Sequence, residues 1–447
     1  MGFSSLGKES PQMKRLPLVV ALLLVTTAIG AGVALPSASS GGERYADTVD
    51  VEPSYAVSSY TEPSSVPQLS GTVDANTNVT NTIAIPAGAI ERSDLRRQYA
   101  DLGPAASFDT GVTTDRLATR TIARELEGTP DSELGDRLAT ELETVEAEVD
   151  SLETRERSAI RAFSREEISP RELLIELARV HLAASELRSR TDILESQAAS
   201  LDEGTISDDR IRRVEYDLRM LNGPMRAHAV SVLRAERPAD RILIETSETA
   251  VTMSTIDDGQ YIREVNRKAL LTDGTSQLTP ERAEELTAQR YPTLWNRSTS
   301  WSVDGLDSVF VMSVAFDRGQ LRTFTDGSTE RTLIEHQRLP LDIVTTGSET
   351  TKVQDGLNVT VEQTYAGGPL RLTVTDDSTG EPIEATVTVG QDGQESRTVG
   401  TTDADGSLWI LSPREPFTIT VFGEDTSAAF VDVTPPAPET VTGSETQ

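Results

Sequence analysis

Between Leu134 and Val232 apolar residues return at alternating spacings of three and four, and no other feature of the chain limits its fold as much. The first segment runs Leu138, Leu142, Val145, Val149 and Leu152, then through Glu156, Ala159 and Phe163. The second runs Leu173, Leu177, Val180, Ala184, Leu187, Thr191, Leu194, Ala198 and Leu201. The third runs Ile211, Val214, Leu218, Leu221, Met225, His228 and Val232. Each presents one apolar seam. The links at Ser164–Pro170 and Asp202–Ser207 are short, which makes successive helices antiparallel neighbours. The expectation is an antiparallel three-helix, coiled-coil-like bundle over residues 112–237, with Val112–Leu126 as a helix leading into it. Ser169-Pro170-Arg171-Glu172 reads as a capping box with proline at the first helical position, and Thr129-Pro130-Asp131 opens the first long helix the same way. Gly223-Pro224 interrupts the third segment, so a kink or break is expected there, with Met225 resuming the seam. The seams suit burial against one another; docking of a partner protein or a second copy needs the same pattern.

From Arg241 the period changes to two. Strands are expected at 241–246, 251–256 and 261–265, with a hairpin turn at Asp257-Asp258-Gly259. Thr279-Pro280-Glu281 caps a helix that runs to Tyr291 and stops at Pro292. Strands follow at 309–316, 321–325 and 331–337. Residues 238–345 thus read as a small α+β domain. Tyr291-Pro292, then Asp317-Arg318-Gly319-Gln320-Leu321 and Phe324-Thr325-Asp326-Gly327, resemble PepSY-like domains. That resemblance implies an extracellular module that associates with or restrains other secreted proteins, often proteases.

Seven short strand candidates between Leu357 and Val433 make residues 346–434 a β-sandwich. Asp376-Asp377-Ser378-Thr379-Gly380-Glu381-Pro382-Ile383, the strand Ala385–Val389 and Gly400-Thr401-Thr402-Asp403-Ala404-Asp405-Gly406 resemble the carboxypeptidase regulatory-like, transthyretin-like sandwich. That resemblance implies structural, adhesive or spacer duty. Residues 435–447 are a Pro/Thr/Ser/Glu tail.

The N-terminal region speaks to compartment. Leu16–Leu35 is an uncharged, largely apolar run behind Lys14-Arg15. It reads either as a signal peptide, with Gly32 and Ala34 near a cleavage point, or as an uncleaved membrane anchor, within residues 1–36. Met13-Lys14-Arg15 would itself make an ordinary signal-peptide start. Both readings put the bulk of the chain outside the cell. Residues 37–111, rich in Ser, Thr, Pro, Gly and Ala, read as a polar linker or stalk; one apolar island, Thr82-Ile83-Ala84-Ile85-Pro86, is a candidate strand of a later domain.

Charge narrows the habitat and the partners. The chain carries 72 acidic and 41 basic side chains, a formal charge of −31, and its only lysines are Lys8, Lys14, Lys268 and Lys352. Acidic charge spread along the whole chain looks like the surface chemistry of extreme halophiles. It disfavours nucleic acid as a partner. The order of segments, with Glu156-Arg-Ser-Ala-Ile-Arg-Ala-Phe163 and Ile244-Glu-Thr-Ser-Glu248, is similar to an uncharacterised family of exported haloarchaeal proteins.

Candidate chemistry is sparse. The absence of cysteine excludes disulfides, thiolate metal sites and cysteine nucleophiles. His181, His228 and His336 show no metal-type spacing, and His228 falls on the third seam as a core histidine. Asp403-Ala404-Asp405-Gly406 reads as a turn, since a calcium loop would need a third acidic position and a distal glutamate. Glu166-Glu167 and Asp208-Asp209 read as solvated pairs at helix ends. Trp295 and Trp301 read as core, with a sugar platform as the alternative. Sequons at Asn78, Asn296 and Asn358 are candidate glycosylation sites. No catalytic, cofactor-binding or metal-ligating set is expected. The resulting expectation is a non-enzymatic exported or cell-surface protein with a structural or interaction role in a halophile's envelope, partnered by an envelope or secreted protein and, if uncleaved, by the membrane. The alternatives are a regulator or inhibitor of a secreted enzyme and an unrecognised extracellular hydrolase.

Overall fold

The computed structural model describes residues 81–84, 91–95, 101–201, 206–237 and 241–436, short loop positions apart. The apolar run at 16–35 and Asn78 lie outside the described residues, as does the tail from 437 on. No helix among the described residues is long and apolar enough to cross a membrane. The chain is multidomain α+β, with helices towards the N-terminus and antiparallel sheets after them.

Five helices come first: α1 Leu102–Glu127, α2 Asp131–Ser164, α3 Pro170–Ala198, α4 Asp208–Leu221 and α5 Pro224–Leu233. The seam residues meet in one cluster: Leu138, Leu142, Val145 and Val149 of α2, Val180, Ala184, Leu187 and Leu194 of α3, Val214, Leu218 and Leu221 of α4. Ion pairs fix the directions. Arg155–Glu176 at 2.7 Å and Arg190–Glu148 at 3.2 Å set α2 antiparallel to α3. Asp101–Arg171 at 2.6 Å and Arg116–Glu186 at 3.2 Å set α1 parallel to α3. α3 is therefore the central helix, packed by α1, α2, α4 and α5.

Three expectations need correction. The lead-in helix is a full bundle member that starts at Leu102, so helices flank α3 on more sides than a three-helix bundle allows. The linker expected over 37–111 ends earlier, because Glu91–Leu95 forms strand β1 and Asp101 caps α1 by accepting from Gly103 N–H at 3.2 Å. Small residues (Gly103, Pro104, Ala105, Ala106) gave that first turn no apolar period to read. At the start of α2, Pro130 itself occupies the N-cap and Thr129 Oγ1 turns back to donate to Glu125 O at 2.7 Å, so no side-chain cap forms. The Ser169–Glu172 capping box does form. The third seam breaks at Asn222-Gly223, and Pro224 opens α5.

The strands β2 Ile242–Ser247, β3 Ala250–Asp257, β4 Gln260–Asn266, β5 Ser300–Leu306, β6 Val309–Phe316, β7 Gly319–Asp326 and β8 Thr332–Pro340 join β1 in one antiparallel sheet of order β1-β2-β3-β4-β8-β7-β6-β5. β4 pairs with β8, with Arg263 opposite Gln337 and Val265 opposite Glu335, which fuses two four-stranded meanders. Alternation gives the sheet two buried faces. One face, with Ile244, Met253 and Ile262, packs on Ile160, Phe163, Leu173, Leu177 and Met225. The other, with Tyr261, Val265, Met312 and Leu339, is covered by α6 Pro280–Arg290 and α7 Pro292–Asn296. Bundle and sheet therefore share a core, and the described residues fall in one compact unit.

Eight further strands form the C-terminal sandwich: β9 Ser348–Gln354, β10 Leu357–Gln363, β11 Pro369–Asp376, β12 Thr386–Gln391, β13 Arg397–Thr401, β14 Ser407–Leu411, β15 Phe417–Phe422 and β16 Ala428–Val433. The sheets β14-β11-β10-β9 and β13-β12-β15-β16 enclose Val359, Val361, Leu372, Val387, Ile419 and Val431. The sandwich meets the large sheet through Leu411, which joins that sheet's apolar cluster, and through polar contacts. Tyr365 and Tyr261 hydroxyls lie 2.7 Å apart, Arg241 donates to Leu411 O at 2.7 Å, and Arg414 pairs with Glu245.

Candidate functional site

The α6/α7 face of the sheet holds a piece of the chain itself. Residues 81–84 lie against β4 and β8 without strand pairing, bent at Asn81, where φ is +50°, and at Thr82. Their main chain is gripped by side chains. Ile83 N–H donates to Glu335 Oε2 at 2.7 Å, and Arg263 Nη2 donates to Ile83 O at 2.7 Å. Arg267 donates to Ala84 O at 2.9 Å, Gln337 to Asn81 O at 2.8 Å, and Thr293 N–H to Asn81 Oδ1 at 3.0 Å. The Ile83 side chain is buried beside Tyr261, Val265 and Leu294. Of the strand expected at 82–86, the described residues 82–84 are a docked strap and not a paired strand.

The strands dictate this arrangement. Arg263 and Glu335 sit on adjacent strands with side chains on the same face, and they form a buried ion pair. Tyr291, at the end of α6, donates to Glu335 Oε2 at 2.8 Å. Burial raises the Glu335 pKa, while Arg263, the Tyr291 hydroxyl and the Ile83 amide pull it down. Burial also opposes the Arg263 charge, yet the Glu335 carboxylate beside it holds its pKa above the ordinary value. The pair offers a carboxylate to a peptide N–H and a guanidinium to the same residue's carbonyl. That chemistry holds a main chain whatever its sequence; the pocket for Ile83 adds selectivity for an apolar side chain.

On the opposite face a second buried network ties sheet to helices. Arg226 of α5 places Nε 2.6 Å from Glu264 Oε1 and Nη2 2.5 Å from Glu156 Oε1. Asn266 donates to Glu156 Oε1 at 3.0 Å, and Met225 N–H donates to Glu264 Oε2 at 3.2 Å. Burial opposes the Arg226 charge, but the Glu156 and Glu264 carboxylates raise its pKa overall. Glu264 enters through the helix break: a Cβ on Gly223 would stand 2.0 Å from Glu264 Oε2. Close by, burial and then the Arg226 charge lower the His181 pKa to about 4, and His336 lies well below the ordinary value, with burial as the main cause.

Three comparisons bear on kinship. Residues 13–237 match the family model described as Domain of unknown function (DUF7096), about half of the chain. The chain belongs to the DUF7096 family. In this DUF7096 protein, residues 242–345 match the family of unknown function DUF7094, and residues 348–430 match an archaeal fibronectin-III type-like domain. No curated protein and no solved structure matches the chain. The sandwich of the DUF7096 protein thus carries a fibronectin-III type-like match where the sequence motifs suggested the carboxypeptidase regulatory-like family.

The remaining sequence candidates of the DUF7096 protein separate in space. Asn296 is exposed at the end of α7, while Asn358 is half-buried in mid-strand with Oδ1 lacking a hydrogen bond. Trp295 and Trp301 meet with ring centroids 4.9 Å apart, Trp295 within the apolar cluster and Trp301 packed against it. Asp403 and Asp405 both accept from Ser407 N–H, at 3.0 and 2.9 Å, within a turn where Gly406 takes φ +75°. His228 is buried on α5, its Nδ1 3.5 Å from Asp257 Oδ2. Among the described residues, Asp192, Glu195 and Glu215 offer oxygens within 4.8 Å of one another and could hold a cation. Arg188 and Arg219 stand close enough to lower the Asp192 pKa against the larger effect of burial. The partners of the strap and both buried networks escaped sequence reading; charged residues at core-facing strand positions, Arg263, Glu264 and Glu335, were the signal available.

Proposed function

We propose that this is a non-enzymatic exported or cell-surface protein with a structural and interaction role in the envelope of a halophile. The observation that carries the reading is the strap: residues 81–84, which lie within the stretch 37–111 expected to be a stalk, are locked into the sheet by five hydrogen bonds to their main chain and to the Asn81 side chain. A chain joined in this way to an N-terminal membrane segment would pass load from the stalk directly into the core of the large sheet. The coiled-coil-like seams, the PepSY-like character of the α+β unit and the spacer or adhesive duty of the sandwich belong to the same proposal. Mass spectrometry of membrane, medium and cytoplasmic fractions tests it. Recovery in membrane or medium supports it, and recovery only in cytoplasm ends it.

A second reading is favoured by the way the strap is held. Arg263 and Glu335 grip a peptide main chain, so the α+β unit would restrain a secreted enzyme by capturing an extended segment of it. Affinity purification from intact cells in about molar salt, where the Debye length is near 3 Å, tests this reading. A stoichiometric secreted hydrolase favours the regulator; its absence across growth phases counts against it.

A further inference from the structure

The groove that holds residues 81–84 is fixed by contacts that do not involve them. Arg263 pairs with Glu335, and Tyr291 donates to Glu335 Oε2 at 2.8 Å, so both main-chain receptors are held by the sheet and α6. Arg267 Nε donates to Thr332 O at 2.7 Å, which anchors the guanidinium that reaches Ala84 O. Receptors already held in place lose little freedom when a ligand arrives. The strap itself pairs with no strand, so its departure breaks no ladder. Departure would take one donor from the Glu335 carboxylate and the acceptor from Arg263 Nη2. Any main chain of the same shape would restore both. Two strap side chains add selectivity. Ile83 enters the apolar cluster with Tyr261, Val265 and Leu294. Asn81 Oδ1 accepts from Thr293 N–H at 3.0 Å, and Asn81 also makes the bend at φ +50°. That backbone region suits asparagine or aspartate and strains a β-branched residue. Register follows. Ile85 could enter the pocket only by placing Ile83 at the bend.

We propose, resting on the reading of the α+β unit as a peptide clamp, that residues 81–84 are the resident ligand of a groove for peptide segments with asparagine or aspartate two residues before an aliphatic side chain. The strap keeps the groove closed, and a segment of a second protein with that pattern enters when the strap is withdrawn. A ligand tethered in the same chain has an effective concentration on the order of millimolar. A free segment therefore competes poorly while the strap is in place.

Fluorescence polarisation of the full chain with a labelled, end-blocked peptide of residues 80–86, Thr-Asn-Thr-Ile-Ala-Ile-Pro, tests the proposal. The strap is released in two variants, one with residues 81–84 replaced by Gly-Ser-Gly-Ser and one with Ile83→Asp. Both should bind the peptide saturably, and the parent should bind it more weakly by about tenfold or more. Alanine in place of the peptide's asparagine should cost about tenfold, through the lost hydrogen bond and the strained bend. Glycine in place of its first isoleucine should cost about tenfold or more, through lost apolar burial. Peptides that all bind alike would leave a main-chain clamp standing and overturn the assigned pattern. No binding by either released variant, with the parent's circular dichroism spectrum retained, ends the clamp reading and the proposal together. Equal binding by parent and released variants removes the strap as the gate. Loss of the folded spectrum in both variants would make the strap part of the core and not a ligand, which also overturns the proposal.

Discussion

Arg226 shows what a single residue costs when it is buried with charge. It is fully enclosed, and two carboxylates, Glu156 and Glu264, depend on it. Removing one partner of such a network leaves an uncompensated buried charge, whereas replacing all of them with apolar groups is often close to neutral. Arg226→Met should therefore lower unfolding free energy by about 3–5 kcal/mol. The triple variant Glu156→Met, Arg226→Met, Glu264→Leu should recover most of that loss. Denaturant midpoints compare the two, and a triple variant no better than the single one would contradict the argument. His181 provides a pH signature. Its pKa falls to about 4 in the fold, from 6.5, through burial and the Arg226 charge. Below 6.5 the unfolded chain takes up a proton that the folded chain refuses, so stability falls with acidification from pH 6.5 and levels off near 4. His336 acts in the same direction. The loss over that window should reach about 2–3 kcal/mol, and His181→Gln should flatten the slope. A parent protein equally stable at both ends of the window would refute it. None of this was legible from the sequence. Glu156 was visible as a charge on an apolar seam, but its partners, Arg226 and Asn266, lie 70 and 110 residues further on, and no local pattern names them.

At the scale of elements, the sequence was clearest where a period or a breaker is strong. The seams of α2, α3 and α4 can be read residue by residue, and Gly223-Pro224 marks its own break. What it could not give was the reason for the break. The interruption is where the Glu264 carboxylate reaches the first turn of α5, and the missing Cβ of Gly223 makes the room. Gly223 and Pro224 should therefore respond differently to substitution. Gly223→Ala forces atoms onto a buried carboxylate and should cost about 1–3 kcal/mol. Pro224→Ala keeps a residue suited to the first helical position and should cost about 1 kcal/mol or less. Thermal unfolding of both variants decides; equal losses would mean that the break serves only to end a helix. The strap was partly legible, as an apolar island in a polar stretch. Three of its partners, Arg263, Glu335 and Gln337, are side chains on two strands that become neighbours only through the β4–β8 pairing. Ile83→Asp should free residues 81–84 and open the chain to limited proteolysis there, with the core left intact. Resistance equal to the parent's would show that the hydrogen bonds alone hold the strap.

At the scale of the whole molecule, charge and packing oppose each other. Bundle, sheet and sandwich are joined by shared apolar clusters and by buried or half-buried ion pairs. The chain as a whole carries 31 more acidic than basic side chains. Exposed pairs such as Arg137–Glu125 and Arg282–Glu330 each contribute only about 0–1 kcal/mol, and salt weakens them. Salt also weakens the repulsion among the unmatched carboxylates, which acts against any compact state. With so large an excess of one sign, relief of repulsion should outweigh the loss of the pairs. Raising ionic strength from about 0.1 M to 1 M shortens the Debye length from about 10 Å to 3 Å. The melting temperature should therefore climb steadily across that range. Chloride and sulfate compared at equal ionic strength separate screening from surface exclusion, because sulfate strengthens apolar burial as well. A rise in both salts, larger in sulfate, agrees with a chain suited to concentrated brine. A rise in sulfate alone would trace the effect to the apolar core. A fall in chloride would mean that the ion pairs outweigh the repulsion, and the high-salt habitat inferred from composition would then have no physical support.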